Sequence, residues 1–458
     1  METKQPTPRA ILVGVQMDGV DDAAQDASFK ELGRLVETLG YEVAGTLVQK
    51  RGGIGGLTVL GKGKLAELAA ITGGTGVVSG WKPKQKSKAR LRFEAEGAAG
   101  ADEPEDEQED GALDQTPPEY VIVDHEISPS QARNLENATG AQVLDRTGVI
   151  VEIFHRHARS REAKLQVEMA RLKYVAPRLR ESAVGGGGRQ RGVGAGETNL
   201  DLDRRNIRDR LAELKSQLEQ IQRDNDQRRS ARNDQLRVAL VGYTNAGKSS
   251  LMRALTGSEV LVADQLFATL DTTVRTLKPE AKPRILISDT VGFIKQLPHD
   301  LVASFRSTLD EALEASLLLY VVDASDPTYE AQLEVSRTVL REIGADAVPW
   351  RLILNKSDRL SGDERAALLA KHPDAILLSA KSAADVAALR ETLIAYFEAR
   401  MVEDVLVLPY AQQGLLGEIY ENTRVLAEEF DANGRILKVR GLPSAIARLR
   451  IALGGRKG

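Results

Sequence analysis

The sequence predicts an α/β protein of several domains: a parallel α/β domain, an antiparallel coiled-coil helical hairpin, a second α/β domain built on a phosphate-binding loop, and a small C-terminal α/β domain. Three observations carry this. Apolar runs of strand length alternate with amphipathic runs of helix length, as in a parallel sheet. Two polar helices with apolar residues spaced four and three apart flank a glycine-rich segment. An apolar strand then runs into a loop that ends in Gly-Lys-Ser and opens a helix.

In the first domain, residues 1–155, "AILVGVQM" reads as a strand, "FKELGRLVETLG" as a helix closed by Gly40, and "YEVAGTLVQ" as a strand. "GKLAELAAIT" is a helix, "EYVIVDHEI" a strand, and "SPSQARNLENATG" a helix ending at Gly140. Residues 82–118 break the pattern with a basic block followed by an acidic one. Such a stretch cannot offset the entropy of ordering and is expected to be a disordered insert.

Residues 156–233 form the hairpin. Leu165, Met169, Leu172, Ala176 and Leu179 make one apolar seam; Ile207, Leu211, Leu214, Leu218 and Ile221 make the other. Residues 184–199 join them as a glycine-rich loop carrying Arg189 and Arg191, with many backbone N–H groups free for an anion. Residues 234–400 hold the second α/β domain. Residues 401–458 read as strand, helix, strand, helix.

Composition narrows the class. Hydrophobic content of 42% and charged content of 28% over 458 residues place the chain among globular proteins with several cores. No apolar run approaches the ~20 residues of a membrane helix, and the first residues lack a signal-peptide layout. Without cysteine there is no disulfide or thiolate metal site, and a cytoplasmic protein is expected. The net charge of −4 hides an asymmetry. From Phe93 to Glu119 there are 11 acidic residues and no Lys or Arg. From Arg156 to Arg232 there are 19 Lys and Arg against 11 Asp and Glu, a net +8. A solvated hairpin and an anionic partner such as RNA both account for that excess.

The chemistry lies in residues 234–400. "GYTNAGKS" supplies Gly242, Tyr243, Thr244, Asn245, Ala246, Gly247, Lys248 and Ser249 between the strand "RVALV" and the helix "SSLMRAL". Backbone N–H groups and the helix N-terminus suit phosphates, Lys248 the β- and γ-phosphates, and the Ser249 hydroxyl Mg²⁺. "GLTVLGKG", Gly56 to Gly63, has the same glycines and lysine but lacks the hydroxyl, and is expected to be a turn. "DTVG" ends the strand "RILIS": Asp289 would hold Mg²⁺ through water, with Thr290 and Val291 leading to Gly292, whose N–H would sense the γ-phosphate. "NKSD", comprising Asn355, Lys356, Ser357 and Asp358, ends the strand "WRLIL". Asp358 can accept from guanine N1–H and the 2-amino group together, which selects GTP. Asn355 would brace the phosphate loop, and Lys356 would lie along the base. "SAK", Ser379, Ala380 and Lys381, would support guanine O6. Four motifs in order, each at the carboxyl end of a strand, define a P-loop GTPase domain. The first switch must lie between Ser258 and Thr276, where Thr269, Thr272 and Thr273 offer hydroxyls.

"DTVGFI" departs from the commonest pattern. Many related enzymes place a glutamine after the glycine to orient the attacking water. Here that residue is Phe293. The water must be positioned by a backbone group, a bound K⁺ or a group that a partner orders. Asn245, inside the phosphate loop, is the candidate for K⁺, as in GTPases that use this ion in place of an arginine finger.

The chain resembles HflX-type GTPases of the translation-factor class. The resemblance rests on these motifs with "DQLFATLD" and "SAKS". It rests equally on "GKGKLAEL", "ATGAQVLDRTGVIVEIFHRHARSREAKLQVEMARLKYVAPRLR" and "GETNLDLDRR". It implies that Phe267, Ala268, Thr269, Leu270 and Asp271 form the first switch, with Thr269 on Mg²⁺ and Thr273 a weaker candidate. Together with the motif readings, this gives Lys248, Thr269, Asn245 and Gly292 as the expected catalytic residues. The resemblance further implies association with the large ribosomal subunit, and the protein is expected to bind GTP and GDP and to be a monomer. The hairpin and Arg189 and Arg191 would contact ribosomal RNA, and the protein would split or rescue stalled ribosomes under stress. The family's usual G-P-G-E-T loop is here "GAGET", with Ala195, and Asp201 stands where Glu is usual. Two other functions fit the residues: a nucleotide-gated RNA- or protein-binding regulator, and an RNA-remodelling NTPase. Asp358 argues against adenine. His155 and His157, read at a strand–helix join, are expected to be polar or RNA-facing, and His299 a surface switch residue.

Overall fold

The computed structural model describes residues 7–78, 116–182, 199–229, 235–257, 266–267, 273–295 and 311–454. The charged insert as far as residue 115, the loop bearing Arg189 and Arg191, and the switch residues 268–272 and 296–310 lie outside them. The chain falls into two compact units, Met1–Ile150 with Pro177–Ala195, and Val151–Ala176 with Gly196–Gly458.

In the first unit, β1 (Arg9–Gln16), α1 (Asp22–Thr38), β2 (Glu42–Lys50), α2 (Lys62–Thr72), β3 (Tyr120–Val123), α3 (Pro129–Thr139) and β4 (Gln142–Asp145) alternate as the sequence predicts. The sheet order is β2-β1-β3-β4, all parallel. Its central strands read as continuous apolar runs because both faces are covered. Local chemistry sets the helix ends. Asp21 caps α1 by accepting from the Ala24 N–H at 2.6 Å. Ser128 and Gln131 form a capping box on α3, and Gly140 ends that helix at φ +69°. The Gly56–Gly63 segment is a bend that leads into α2, and the Gly61 N–H is taken by Gln49 Oε1 at 2.7 Å.

A buried ion cluster lies at the start of α4 (Arg146–His157). Arg146 donates to Asp124 at 2.7 Å and also pairs with Glu31, while the Ser28 hydroxyl donates to Asp124 at 2.5 Å. His155 and His157 lie in the last turn of this helix, and not at a strand–helix join. The run "GVIVEIF" looks like a strand by its β-branched residues. Its placement after Asp145, which accepts from the Gly148 N–H, turns it into helix.

The hairpin arms are α5 (Arg161–Ser182) and α6 (Asn199–Arg229). Arg210 on α6 donates to both carboxylate oxygens of Glu168 on α5, at 2.7 and 3.1 Å. These partners lie 42 apart in sequence and join one arm to the other. Leu165 and Leu214 are buried, and most other seam residues are half-buried, as befits a pair with one shared face.

The second sheet orders β10-β9-β8-β5-β7-β6, with β6 (Thr273–Thr276) antiparallel. Its centre is β5 (Leu236–Val241), between β7 (Ile285–Asp289) and β8 (Leu317–Asp323). β9 (Trp350–Asn355) and β10 (Ile376–Leu377) extend one edge. The helices are α7 (Lys248–Thr256), α8 (Tyr329–Glu342), α9 (Gly362–Lys371) and α10 (Ala383–Glu398). Val238 and Leu240 of β5, with Leu251, Leu389 and Phe397, belong to the apolar core under one face.

The C-terminal part corrects one expectation. β11 (Val402–Pro409) leads to α11 (Leu416–Asn422), then β12 (Thr423–Phe430), β13 (Gly434–Gly441) and α12 (Pro443–Gly454). The sheet is antiparallel, β11-β13-β12. A reading of strand, helix, strand, helix leaves "TRVLAEEF" in the preceding helix, but this segment pairs with β13 around a bulge between Val425 and Ala427. Its Leu, Ala and Glu favour helix locally, and the hydrogen-bonded ladder outweighs that preference.

Replacing Arg146 by Met would leave the buried Asp124 and the half-buried Glu31 without their cation. The expected loss is about 3–5 kcal/mol, read as a lower urea midpoint; an unchanged midpoint would mean the cluster is not holding this unit together.

Candidate nucleotide site

The phosphate loop joins β5 to α7. Gly242 has φ +144°, and a Cβ there would lie 2.2 Å from the Val321 carbonyl oxygen. Gly247 has φ +91°, and a Cβ would meet Asn355 Nδ2 at 2.3 Å. Both positions demand glycine, for conformation and for close approach. Asn245 adopts φ +59° and is exposed to solvent.

Lys248 is buried, and its Nζ donates to the carbonyls of Gly242 at 3.0 Å and Tyr243 at 2.8 Å. Burial pushes its amine down to about 8, against the opposing pull of Asp289. A buried ammonium in this state has a strong electrostatic demand for an anion. The next residue, Ser249, donates its hydroxyl to Asp289 Oδ2 at 2.6 Å. A hydroxyl and a carboxylate meeting here are hard oxygen donors, the set that suits Mg²⁺.

Asp289 ends β7, paired in register with Leu240. Thr290 points back into the sheet, donating to the Leu240 carbonyl at 2.8 Å. A Cβ on Gly292 would lie 2.8 Å from Thr244 Cγ2 and 3.1 Å from Lys248 Nζ, so this glycine is pressed against the loop. Phe293 then continues the pairing past the end of the strand. Its N–H donates to the Gly242 carbonyl at 3.1 Å, and its carbonyl accepts from the Thr244 N–H at 2.8 Å. The side chain is buried at 2% exposure, and the Lys295 N–H donates to the Tyr243 hydroxyl at 2.7 Å.

The loops expected to recognise the base follow β9 and β10. Asn355 Nδ2 donates to the Ala246 carbonyl at 2.8 Å, and its Oδ1 accepts from the Ala380 N–H at 3.1 Å. Lys356, at φ +64°, reaches the Asn245 carbonyl and Asp323 Oδ2, both at 2.7 Å. Burial alone would raise the Asp323 carboxyl; the bonds from Lys356 and Ser325 hold it below the usual range. The Ser379 hydroxyl donates to Asp358 Oδ1 at 2.6 Å, which keeps that carboxylate ionised, and Lys381 stands 3.8 Å from its other oxygen. Ser357 is buried, and its N–H donates to the Leu378 carbonyl.

Thus Gly242 to Ser249, Asp289 to Gly292, Asn355 to Asp358, and Ser379 to Lys381 are brought to the carboxyl ends of β5, β7, β9 and β10 in one sheet. Thr273 lies on β6, opposite Asp289. Phe267 is described, whereas Ala268, Thr269, Leu270, Asp271 and Thr272 lie outside the described residues, as does His299. Sequence reasoning missed Asp323 and the contacts of Phe154 and His157 with Phe267. Phe154 and Phe267 meet edge to face with centroids 4.6 Å apart, and a ring N–H of His157 bonds the Phe267 carbonyl. No spacing in the sequence links residues so far apart. Among the described residues no cluster of His, Cys, Asp and Glu forms a further metal site, and no helix is long and apolar enough to cross a membrane.

A parallel sheet with these loops at its carboxyl edge defines a P-loop GTPase. Models of known families match three stretches: a GTP-binding GTPase N-terminal region over residues 26–78 and 106–155, a GTP-binding GTPase middle region over 157–232, and a 50S ribosome-binding GTPase over 237–356. The chain is 74% identical over 458 residues, all of both chains, to the GTPase HflX of Gluconacetobacter diazotrophicus. It is 36% identical to the GTPase HflX of Caldanaerobacter subterraneus, covering 98% of this chain and 94% of that one. It is 39% identical to that of Escherichia coli K12, over 72% and 79% of the two chains. The chain belongs to the HflX family of GTPases, enzymes that bind GTP and hydrolyse it.

The clamp on Phe293 sets an expectation. Phe293→Gln would bury an amide beside the phosphate loop without delivering it to a water, so unstimulated GTP turnover should stay level or fall. A large rise in turnover would mean that only the side chain was missing.

Proposed function

We propose that this GTPase works on the large ribosomal subunit, and that its GTP-bound form engages the subunit to split or rescue stalled ribosomes. In this reading Lys248 and the N–H groups of Gly242 to Ser249 hold the phosphates. The Gly292 N–H senses the third phosphate. Asp358, oriented by Ser379, selects guanine, with Ala380 and Lys381 beside it. Mg²⁺, held by Ser249 and Thr269 and through water by Asp289, would offset phosphate charge. The four-domain division at residues 155, 233 and 400 belongs to the same proposal.

The observation that carries the ribosomal part is the hairpin. Its two arms and loop hold a net +8 from Arg156 to Arg232, in a family one of whose matching models is described as ribosome-binding. Such a charge excess on a long helical pair suits an RNA phosphate backbone. Arg189 and Arg191 in the loop are the proposed contacts. Hydrolysis would then loosen the switches and release the protein.

Purified large subunits should co-sediment with the protein in GTP or a non-hydrolysable analogue, and much less in GDP. They should also raise a basal turnover that can be as slow as ~10⁻⁴ to 10⁻³ per second in related enzymes. Absence of both effects would sink the ribosomal reading and leave the GTPase intact. For the K⁺ role, Asn245 presents an exposed carboxamide in the phosphate loop. Turnover should be faster in KCl than in NaCl at equal ionic strength; equal rates would remove the ion from the reaction.

A further inference from the structure

Of the residues assigned to the first switch only Phe267 is described, and it and the preceding Leu266 are buried, at 3% and 5% exposure. That is unusual for a segment expected to answer a ligand, since mobile loops carry few buried apolar contacts. Phe267 is one of three non-glycine residues with positive φ among those described, at +58°. The other two, Asn245 and Lys356, are in the nucleotide loops. A residue held in that region costs free energy that its surroundings must offset. For Phe267 the surroundings are the last turns of α4. Phe154, 1% exposed, meets its ring edge to face, and His157 bonds its backbone carbonyl. Burial and the charges of Arg156 and Arg159 favour the neutral imidazole, while the Phe267 carbonyl bond opposes them.

The position of this seat matters. Phe267 lies two residues before Thr269, while His157 lies four before the start of α5. The far side of α4 is tied to the hairpin as well. Arg171 of α5 stands 3.3 Å from His155 and 4.0 Å from Glu152, and Arg156 pairs with Glu152 at 3.4 Å. One short helix end thus touches the first switch on one side and the hairpin on the other.

We propose that Phe154 is a positioning residue for GTP: the end of α4 seats Phe267, fixes the approach of the first switch, and couples the nucleotide state to the helical hairpin. The pathway is a two-state element only if both ends bias it, which is a measurable coupling. This rests on the assignment of the first switch to residues 267–271, and it does not depend on the ribosome being the partner.

The test uses the full chain without ribosomes. Affinities for fluorescent GDP and for a fluorescent non-hydrolysable GTP analogue would be measured for the unmodified protein, Phe154→Leu and Phe154→Ala. Phe154→Leu keeps apolar volume in case Phe154→Ala folds poorly. The GTP-analogue affinity should fall roughly tenfold while GDP affinity changes less than about twofold, because GDP does not need the first switch; tenfold corresponds to about 1.4 kcal/mol of coupling. Hydrogen exchange over residues 161–176 should differ between the two nucleotides in the unmodified protein, and this difference should shrink in Phe154→Leu. Equal weakening of both nucleotides would reduce Phe154 to a core residue. An unchanged affinity ratio, or hairpin exchange that ignores the nucleotide, would overturn the coupling. Loss of subunit binding with these results intact would count against the ribosomal reading alone.

Discussion

The carboxamide of Asn355 holds the nucleotide site together. It donates to the Ala246 carbonyl in the phosphate loop and accepts from the Ala380 N–H in the loop after β10. It is buried, so both bonds form in a low-dielectric surround where an unmet polar group is costly. Gly247 has no Cβ, which leaves the space that this side chain fills. Three loops from separate parts of the chain therefore share one anchor. The loop after β5 and the loop after β10 are not independent here, since moving either strains the same amide.

Electrostatics are layered around that anchor. Lys248 is buried against two carbonyls and near Asp289, so its charge is tolerated without being neutralised. Lys356 bridges Asp323 to the Asn245 carbonyl on the outer side of the same loop. The result is a cradle whose backbone is fixed by two lysines, one aimed inward and one braced outward.

Much of this was legible in the sequence, and the reasons are local. Gly242, Gly247 and Gly292 are dictated by positive φ or close approach, and Lys248, Ser249, Asn355 and Asp358 stand at the strand ends where the motif spacing puts them. Each leaves a fixed pattern at a strand end. The parallel sheets were legible because buried strands read as apolar runs. What failed was tertiary in origin. Thr423 to Phe430 has helix-forming residues and becomes a strand because β13 offers a ladder. Val149 to Phe154 looks like a strand and becomes helix because Asp145 starts one. The seat of Phe267 joins residues 154 and 267, and no short-range pattern carries such a pairing.

The zipping of Phe293 onto the phosphate loop has a mechanical meaning. Thr290 is tied to Leu240, Phe293 to Gly242 and Thr244, and Lys295 to Tyr243. The segment that leaves β7 thus has its root stitched to the loop between β5 and α7. While these bonds last, Thr290 to Lys295 and the loop they pair with have to move as one piece. Phe293, standing where many related enzymes carry a glutamine, is a fastening between two loops of the same sheet edge.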